Sequence, residues 1–198
     1  MPHDREALLY SQLDHFLINI LGLPSSASSQ NLSVTSLLNF KATLANINNL
    51  ITMKLTLGLS NWVADTFQLS SSVRNEMRRT ILESNPNSNG FDIWLGYPLS
   101  FVGEVKCNIP IKGGNKYGAQ QRTGIISDID SLLVGKRKGR LITENIFKFI
   151  AFLDLPEIRA ANDHLLKTNK ELSQKLVFLE EDEIPCDVKH VYGVYIKL

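Results

Sequence analysis

The sequence predicts an α/β protein, a mixed central β-sheet flanked by helices, preceded by a helical N-terminal extension. Three observations carry the prediction. Residues 90–108, GFDIWLGYPLSFVGEVKCN, hold two alternating runs on either side of a Gly96-Tyr97-Pro98 break, the pattern of two strands joined by a short turn. Residues 146–155, IFKFIAFLDL, form a nearly unbroken apolar run of strand length, as a central strand covered on both faces requires. Around them lie segments whose apolar residues recur every three or four positions, the period of a helix. At 198 residues, 43% hydrophobic and 21% charged, the chain is long and apolar enough for one core with additions. The extension is placed at 1–69 and the α/β core at 70–198.

In chain order, residues 4–21 carry Leu8, Leu9, Leu13, Phe16, Leu17, Ile20 and Leu21 on one helical face. Asp4 can cap this helix, and Gly22 with Pro24 stops it. A polar connector follows at 25–33. Residues 34–50 return to helical spacing through Leu37, Leu38, Leu44, Ile47 and Leu50. Met53, Leu55, Leu57 and Leu59 then alternate as in a strand, although a continued helix fits equally well. Trp62, Val63 and Phe67 suggest a further short helix. This leader is long enough for a helix-turn-helix, but its acidic balance and few Arg and Lys favour packing or dimerisation. Residues 71–83, SSVRNEMRRTILE, form a helix with Val73, Met77 and Ile81 inward, Leu82 at the edge of that face, and a capping arrangement of Ser72, Asn75 and Glu76 at its start.

Beyond the hairpin, Pro110 ends regular pairing. In IKGGNKY, at 111–117, Gly113-Gly114 gives backbone that can approach a phosphate closely between Lys112 and Lys116. The GxxxxGK[ST] spacing of a nucleotide-binding loop is absent. Asn115 is the expected cap of a helix over 116–134, with Ile125, Ile126, Ile129, Leu132 and Leu133 as its apolar stripe. KRKGR at 136–140 is the densest basic cluster in the chain. Pro156 opens a helix to about residue 173, and strands at 176–179 and 188–196 complete the sheet.

The hairpin holds three charges that need an explanation. Period two puts Asp92 and Trp94 opposite Phe91, Ile93 and Leu95, and sets Val102, Glu104 and Lys106 on one face of the second strand. Burying an unpaired ion costs several kcal/mol, so charges among apolar strands call for partners or a metal. A solvated cross-strand ion pair is the structural alternative.

An acid on one strand, then Glu-x-Lys on the next after a short turn, resembles the PD-(D/E)XK nuclease superfamily, which includes many type II restriction endonucleases. Asp92 matches the first acid, Glu104 the second and Lys106 the lysine, while Phe91 stands where the motif's name has proline. The likeness spans roughly 76–155, under half of the chain. It implies a restriction-endonuclease-like core and a Mg²⁺-dependent endodeoxyribonuclease, most specifically a restriction enzyme acting on double-stranded DNA as a homodimer. Manganese is the expected substitute metal. It also implies a further acid on the preceding helix, which makes Glu76 a candidate third ligand, against a plain surface pair with Arg79. A Gln or a basic residue is common at the start of the following helix, where Gln120, Gln121 and Arg122 stand.

The residue types suit that chemistry. Two carboxylates make a hard-oxygen site for magnesium, which retains several waters. The metal stabilises charge on a scissile phosphate and makes a bound water easier to deprotonate. Lys106 projects from the same face, where it can orient that water or offset phosphate charge. Asp187-Val188-Lys189 repeats the acid-x-lysine spacing, but only nine residues follow it, too few for the flanking elements.

Charge distribution agrees. Net charge is +1 overall. Residues 106–140, however, carry 8 basic and 2 acidic side chains, against 6 and 8 before them and 7 and 10 after. Lys112, Lys116, Arg122, Lys136, Arg137, Lys138 and Arg140 are therefore the expected DNA-contacting set, gripping phosphates in a salt-dependent manner, and the resemblance adds Gln121 to it. Cys107 and Cys186 lie far apart without metal-ligand spacing, which suggests a reducing, cytoplasmic setting. His3, His15, His164 and His190 show no ligand pattern. No run approaches the length of a membrane span, and acids at Asp4, Glu6 and Asp14 spoil any secretory leader. Two other readings fit the same residues: a structure-specific repair or recombination nuclease, and a non-catalytic nucleic-acid-binding protein on the same fold.

Overall fold

The structure, a computed structural model, describes residues 4–24, 29–83, 90–111, 114–136, 143–180 and 182–198. The chain divides into two compact units, Met1–Ile47 and Asn48–Leu198.

In the first unit, α1 (Arg5–His15) begins where the Asp4 carboxylate accepts the Ala7 N–H at 3.0 Å. It runs on through a π-helical turn, Phe16–Ile20, and stops at Gly22, whose φ of +68° suits a residue without Cβ. Asp14 accepts the Ser29 N–H at 2.6 Å, tying down a 3₁₀ turn at Ser29–Asn31, and the Phe16 and Phe40 rings lie 5.8 Å apart.

Helix α2 (Val34–Thr66) follows. The stretch 53–59, open between strand and helix by its alternation, is helical. Its tertiary partners decide the matter: Leu55, Leu59 and Val63, each four residues apart, form one fully buried stripe. Met53 and Leu57 are half-buried beside that stripe, which is why period two and period 3.6 both fitted. The short helix expected around 62–67 is the last turn of α2. Residues 48–66 lie in the unit that holds the sheet.

Helix α3 (Ser71–Glu83) buries Met77 and Ile81 as expected, while Leu82 is exposed. The hydroxyl at its start is that of Ser70 rather than Ser72: the Ser70 Oγ accepts the Val73 N–H at 3.5 Å.

The sheet among the described residues has five strands in the order β1-β2-β3-β5-β4. Strand β1 (Ile93–Leu95) pairs antiparallel with β2 (Phe101–Lys106), which runs parallel to β3 (Phe147–Leu153). Strand β5 (Val191–Ile196) lies parallel to β3 on one side and to β4 (Leu176–Phe178) on the other. This is the expected mixed sheet flanked by helices. Helices α2 and α3 cover one face; α4 (Ala119–Val134), α5 (Pro156–Thr168) and α6 (Lys170–Ser173) cover the other.

The first face is built around Phe149, with the rings of Trp62, Phe101 and Tyr192 at 5.5, 5.8 and 6.3 Å. Helix α2 approaches β2 so closely that a Cβ on Gly103 would stand 2.7 Å from Leu59 Cδ2 and 2.9 Å from Ile93 Cγ2.

Three boundaries differ from the sequence reading, each for a local polar reason. Helix α4 starts at Ala119 with Gly118 as N-cap, not at residue 116 behind Asn115, because the Gln121 Oε1 accepts the Gly118 N–H at 2.9 Å. The helix expected over 156–173 is interrupted at Asn169, whose side chain caps α6 by accepting the Leu172 N–H at 3.0 Å. Strand β5 opens at Val191 rather than 188, because the Asp187 carboxylate gathers the N–H groups of Lys189 and His190 into a turn. No helix among the described residues is long and apolar enough to cross a membrane.

Candidate active site

The β1–β2 register builds the site. Ile93 pairs with Gly103, so extending the ladder by one residue sets Asp92 opposite Glu104. Asp92 is half-buried, and its Oδ2 accepts the Val105 N–H at 2.8 Å, which anchors the carboxylate against the neighbouring strand. In the parallel ladder Val102, Glu104 and Lys106 pair with Lys148, Ile150 and Phe152, and all six lie on the face covered by α4 and α5. Glu104 is only 6% exposed there.

Two further charges close over this face. Helix α4 brings Asp128 onto Lys106 as an ion pair, both side chains mostly shielded from solvent. Just past α4, Lys136 turns back over β1. Its ammonium pairs with the Glu104 carboxylate, donates to the Gly90 carbonyl at 2.9 Å and lies 4.9 Å over the Phe91 ring. Burial first, and then the Asp92 carboxylate, push the Glu104 carboxyl up; the Lys136 ammonium pulls it back only in part, and the carboxyl rests at about 8. Asp128 adds a smaller push in the same upward direction.

Asp92 and Glu104 are thus brought opposite one another, while Lys106, on the same sheet face, pairs with Asp128 and is not among the charges that act on Glu104. Glu76 is exposed on α3, whose buried residues pack on the opposite face of the sheet, and it is not among the charges that act on Glu104. Lys136, expected on phosphate, is engaged with Glu104. Gln121 is turned onto the backbone: besides capping α4, its Nε2 donates to the Ile109 carbonyl at 2.8 Å. Lys116 and Arg122 are exposed. Lys112, Arg137, Lys138 and Arg140 lie outside the described residues. Asp187, in the repeated acid-x-lysine, holds a turn instead of standing on a strand.

Two residues escaped the sequence reading. Asp128 borders the buried stripe of Ile125, Ile129 and Leu132, and an acid at that edge, three residues after one buried Ile and just before the next, was the available signal. Lys148 sits buried in β3, its ammonium donating to the carbonyls of Ile146, at 3.0 Å, and Val188. Burial holds its amine below the usual lysine range, and an apolar run gave no sign that it would be satisfied by backbone.

The result is a cluster of three carboxylates and two ammonium groups at one end of β2. Among the described residues, no group of three or more His, Cys, Asp or Glu side chains is gathered closely enough to hold a metal ion by itself. No protein-family model, curated protein or solved structure matches the chain.

Proposed function

We propose that this protein is a metal-dependent phosphodiesterase that hydrolyses DNA on a restriction-endonuclease-like core, and more specifically a type II restriction endonuclease working as a homodimer. The observation that carries the reading is the placing of Asp92 opposite Glu104, with Lys106 two residues on along the same sheet face. The basic balance of residues 106–140, which begin at this site, supports a polyanionic substrate.

The donor set fits magnesium or manganese: both candidate ligands are carboxylates, and magnesium commonly takes one or two of these and completes its shell with water. Asp92 and Glu104 would hold the ion, which when bound supplies charge stabilisation at the phosphate and a more acidic water. Lys106, held by its ion pair with Asp128, would meet the developing negative charge with an ammonium already fixed in direction. Asp128 acts through Lys106 as a positioning residue. Exposed Lys116 and Arg122 are available to phosphate.

A second reading has its own observation. Glu104 is paired with Lys136 and Lys106 with Asp128, which is also how a buried structural ion cluster looks; a non-catalytic nucleic-acid-binding protein would need no more. Plasmid and branched DNA incubated with the protein and Mg²⁺ or Mn²⁺ separate the two. Cleavage by wild type, abolished in Lys106→Ala while DNA binding is retained, is the expected outcome. Discrete plasmid bands point to a restriction enzyme, and cutting confined to junctions or flaps to a structure-specific nuclease. Equal inactivity of wild type and variant on all substrates refutes the enzymatic reading.

A further inference from the structure

The Lys136 ammonium has three anchors, and all of them surround the acidic pair. It meets the Glu104 carboxylate, the Gly90 carbonyl and the Phe91 ring, the last two immediately preceding Asp92 in the chain. A lysine on a mobile surface would not be drawn into a carbonyl, a ring face and a carboxylate at once. This one is held on Glu104 and on the two residues that lead into Asp92, the acid opposite Glu104.

Charge decides what can share that position. The cluster of Asp92, Glu104, Asp128, Lys106 and Lys136 sums to one negative charge when all are ionised and to zero while Glu104 holds its proton. A divalent cation entering with Lys136 in place would bring the cluster to +1 and set an ammonium beside the ion, where like charges repel strongly away from bulk water. With Lys136 withdrawn, the same ion brings the remaining four groups to neutrality. Lys106 cannot take over the role of Lys136, because it is already committed to Asp128.

We propose that Lys136 is a tethered counter-ion that closes the Asp92–Glu104 pair, and that the Lys136 ammonium and a divalent cation occupy that pair in alternation. This rests on the metal-dependent reading above and adds a regulatory step to it: loading the site releases a lysine that begins the KRKGR run. Until a cation arrives, the carboxylates stay neutralised without one.

The test is lysine footprinting on the intact chain. The folded protein is treated briefly with an N-hydroxysuccinimidyl acetate ester, with and without Mn²⁺, and acetylation of each lysine is read by mass spectrometry. Exposed Lys116 and buried Lys148 serve as internal references. Lys136 should react slowly without metal and about tenfold faster with it, the ratio matching release of an ion pair worth roughly 1.4 kcal/mol. Lys116 and Lys148 should not respond, and in Glu104→Gln the response of Lys136 to metal should vanish. If calorimetry on the same sample shows Mn²⁺ bound while Lys136 reactivity is unchanged, the counter-ion exchange is wrong and the metal-dependent reading stands. If calorimetry shows no Mn²⁺ bound, both fall together. The wild-type comparison decides the matter even if the variant misfolds.

Discussion

Glu104 makes the sheet unit's stability depend on pH in the sense opposite to an ordinary paired carboxylate. Its carboxyl is raised from 4.5 to about 8, chiefly by burial and then by Asp92. Between those two values the native state holds a proton that the unfolded chain has released. The stabilisation is therefore fully present below pH 4.5 and is lost as pH rises through about 8, at roughly 1.4 kcal/mol per pH unit. Over the whole interval the loss reaches roughly 5 kcal/mol, and with the residue only 6% exposed, solvent screening removes little of it. Glu104→Gln keeps the shape and abolishes the titration. Urea unfolding at a series of pH values from 5 to 9, followed by tryptophan fluorescence, reports the right region, because Trp62 and Trp94 both lie in the unit that holds the sheet. Wild type should lose stability steadily toward pH 8, and the variant should lose far less. Asp154 and Asp187, held below the usual carboxylate range by Arg159 and by backbone N–H groups respectively, act only at acid pH, where their contribution is lost as pH falls. Parallel decline of wild type and variant would refute the assignment of the buried proton to Glu104.

Two further substitutions probe the frame that holds the site. Gly103→Ala forces a methyl between Leu59 and Ile93 and should cost about 1–3 kcal/mol by overpacking, read as a lower urea midpoint at unchanged slope. Tyr117→Phe removes the hydroxyl that donates to the Asn162 Oδ1 at 3.0 Å, in a buried network that continues from the Asn162 Nδ2 to the Tyr195 hydroxyl; the loss should be about 1–3 kcal/mol in the same assay.

The legible parts of this molecule are those fixed by period and parity. Phe91 to Lys106 announced a hairpin, and alternation put Glu104 and Lys106 on one face of its second strand, where Asp92 lies opposite Glu104 and Lys106 turns to Asp128. The run at 146–155 announced the buried central strand, and Val73, Met77 and Ile81 the inner face of α3. What stayed hidden depended on contacts between distant segments. Lys136 reads as one member of a basic run, and only the turn after α4 brings it back to Gly90 and Glu104. Asp128 became a site residue through the docking of α4 on β2, which local spacing does not encode. Between 53 and 59 the period itself was ambiguous, and burial against Gly103 and the sheet settled it as helix. Helix starts slipped by a few residues wherever a side chain such as Gln121 or Asn169 competed for a backbone N–H.

Titration calorimetry with Mn²⁺ asks, without assuming any substrate, whether Asp92 and the Glu104 opposite it bind a divalent cation. Wild type should show saturable binding that Asp92→Asn and Glu104→Gln each weaken by about tenfold or more, as expected when one of two hard-oxygen ligands is lost. Absence of binding by wild type, or identical isotherms for all three proteins, would contradict the account and leave these residues as a structural ion cluster.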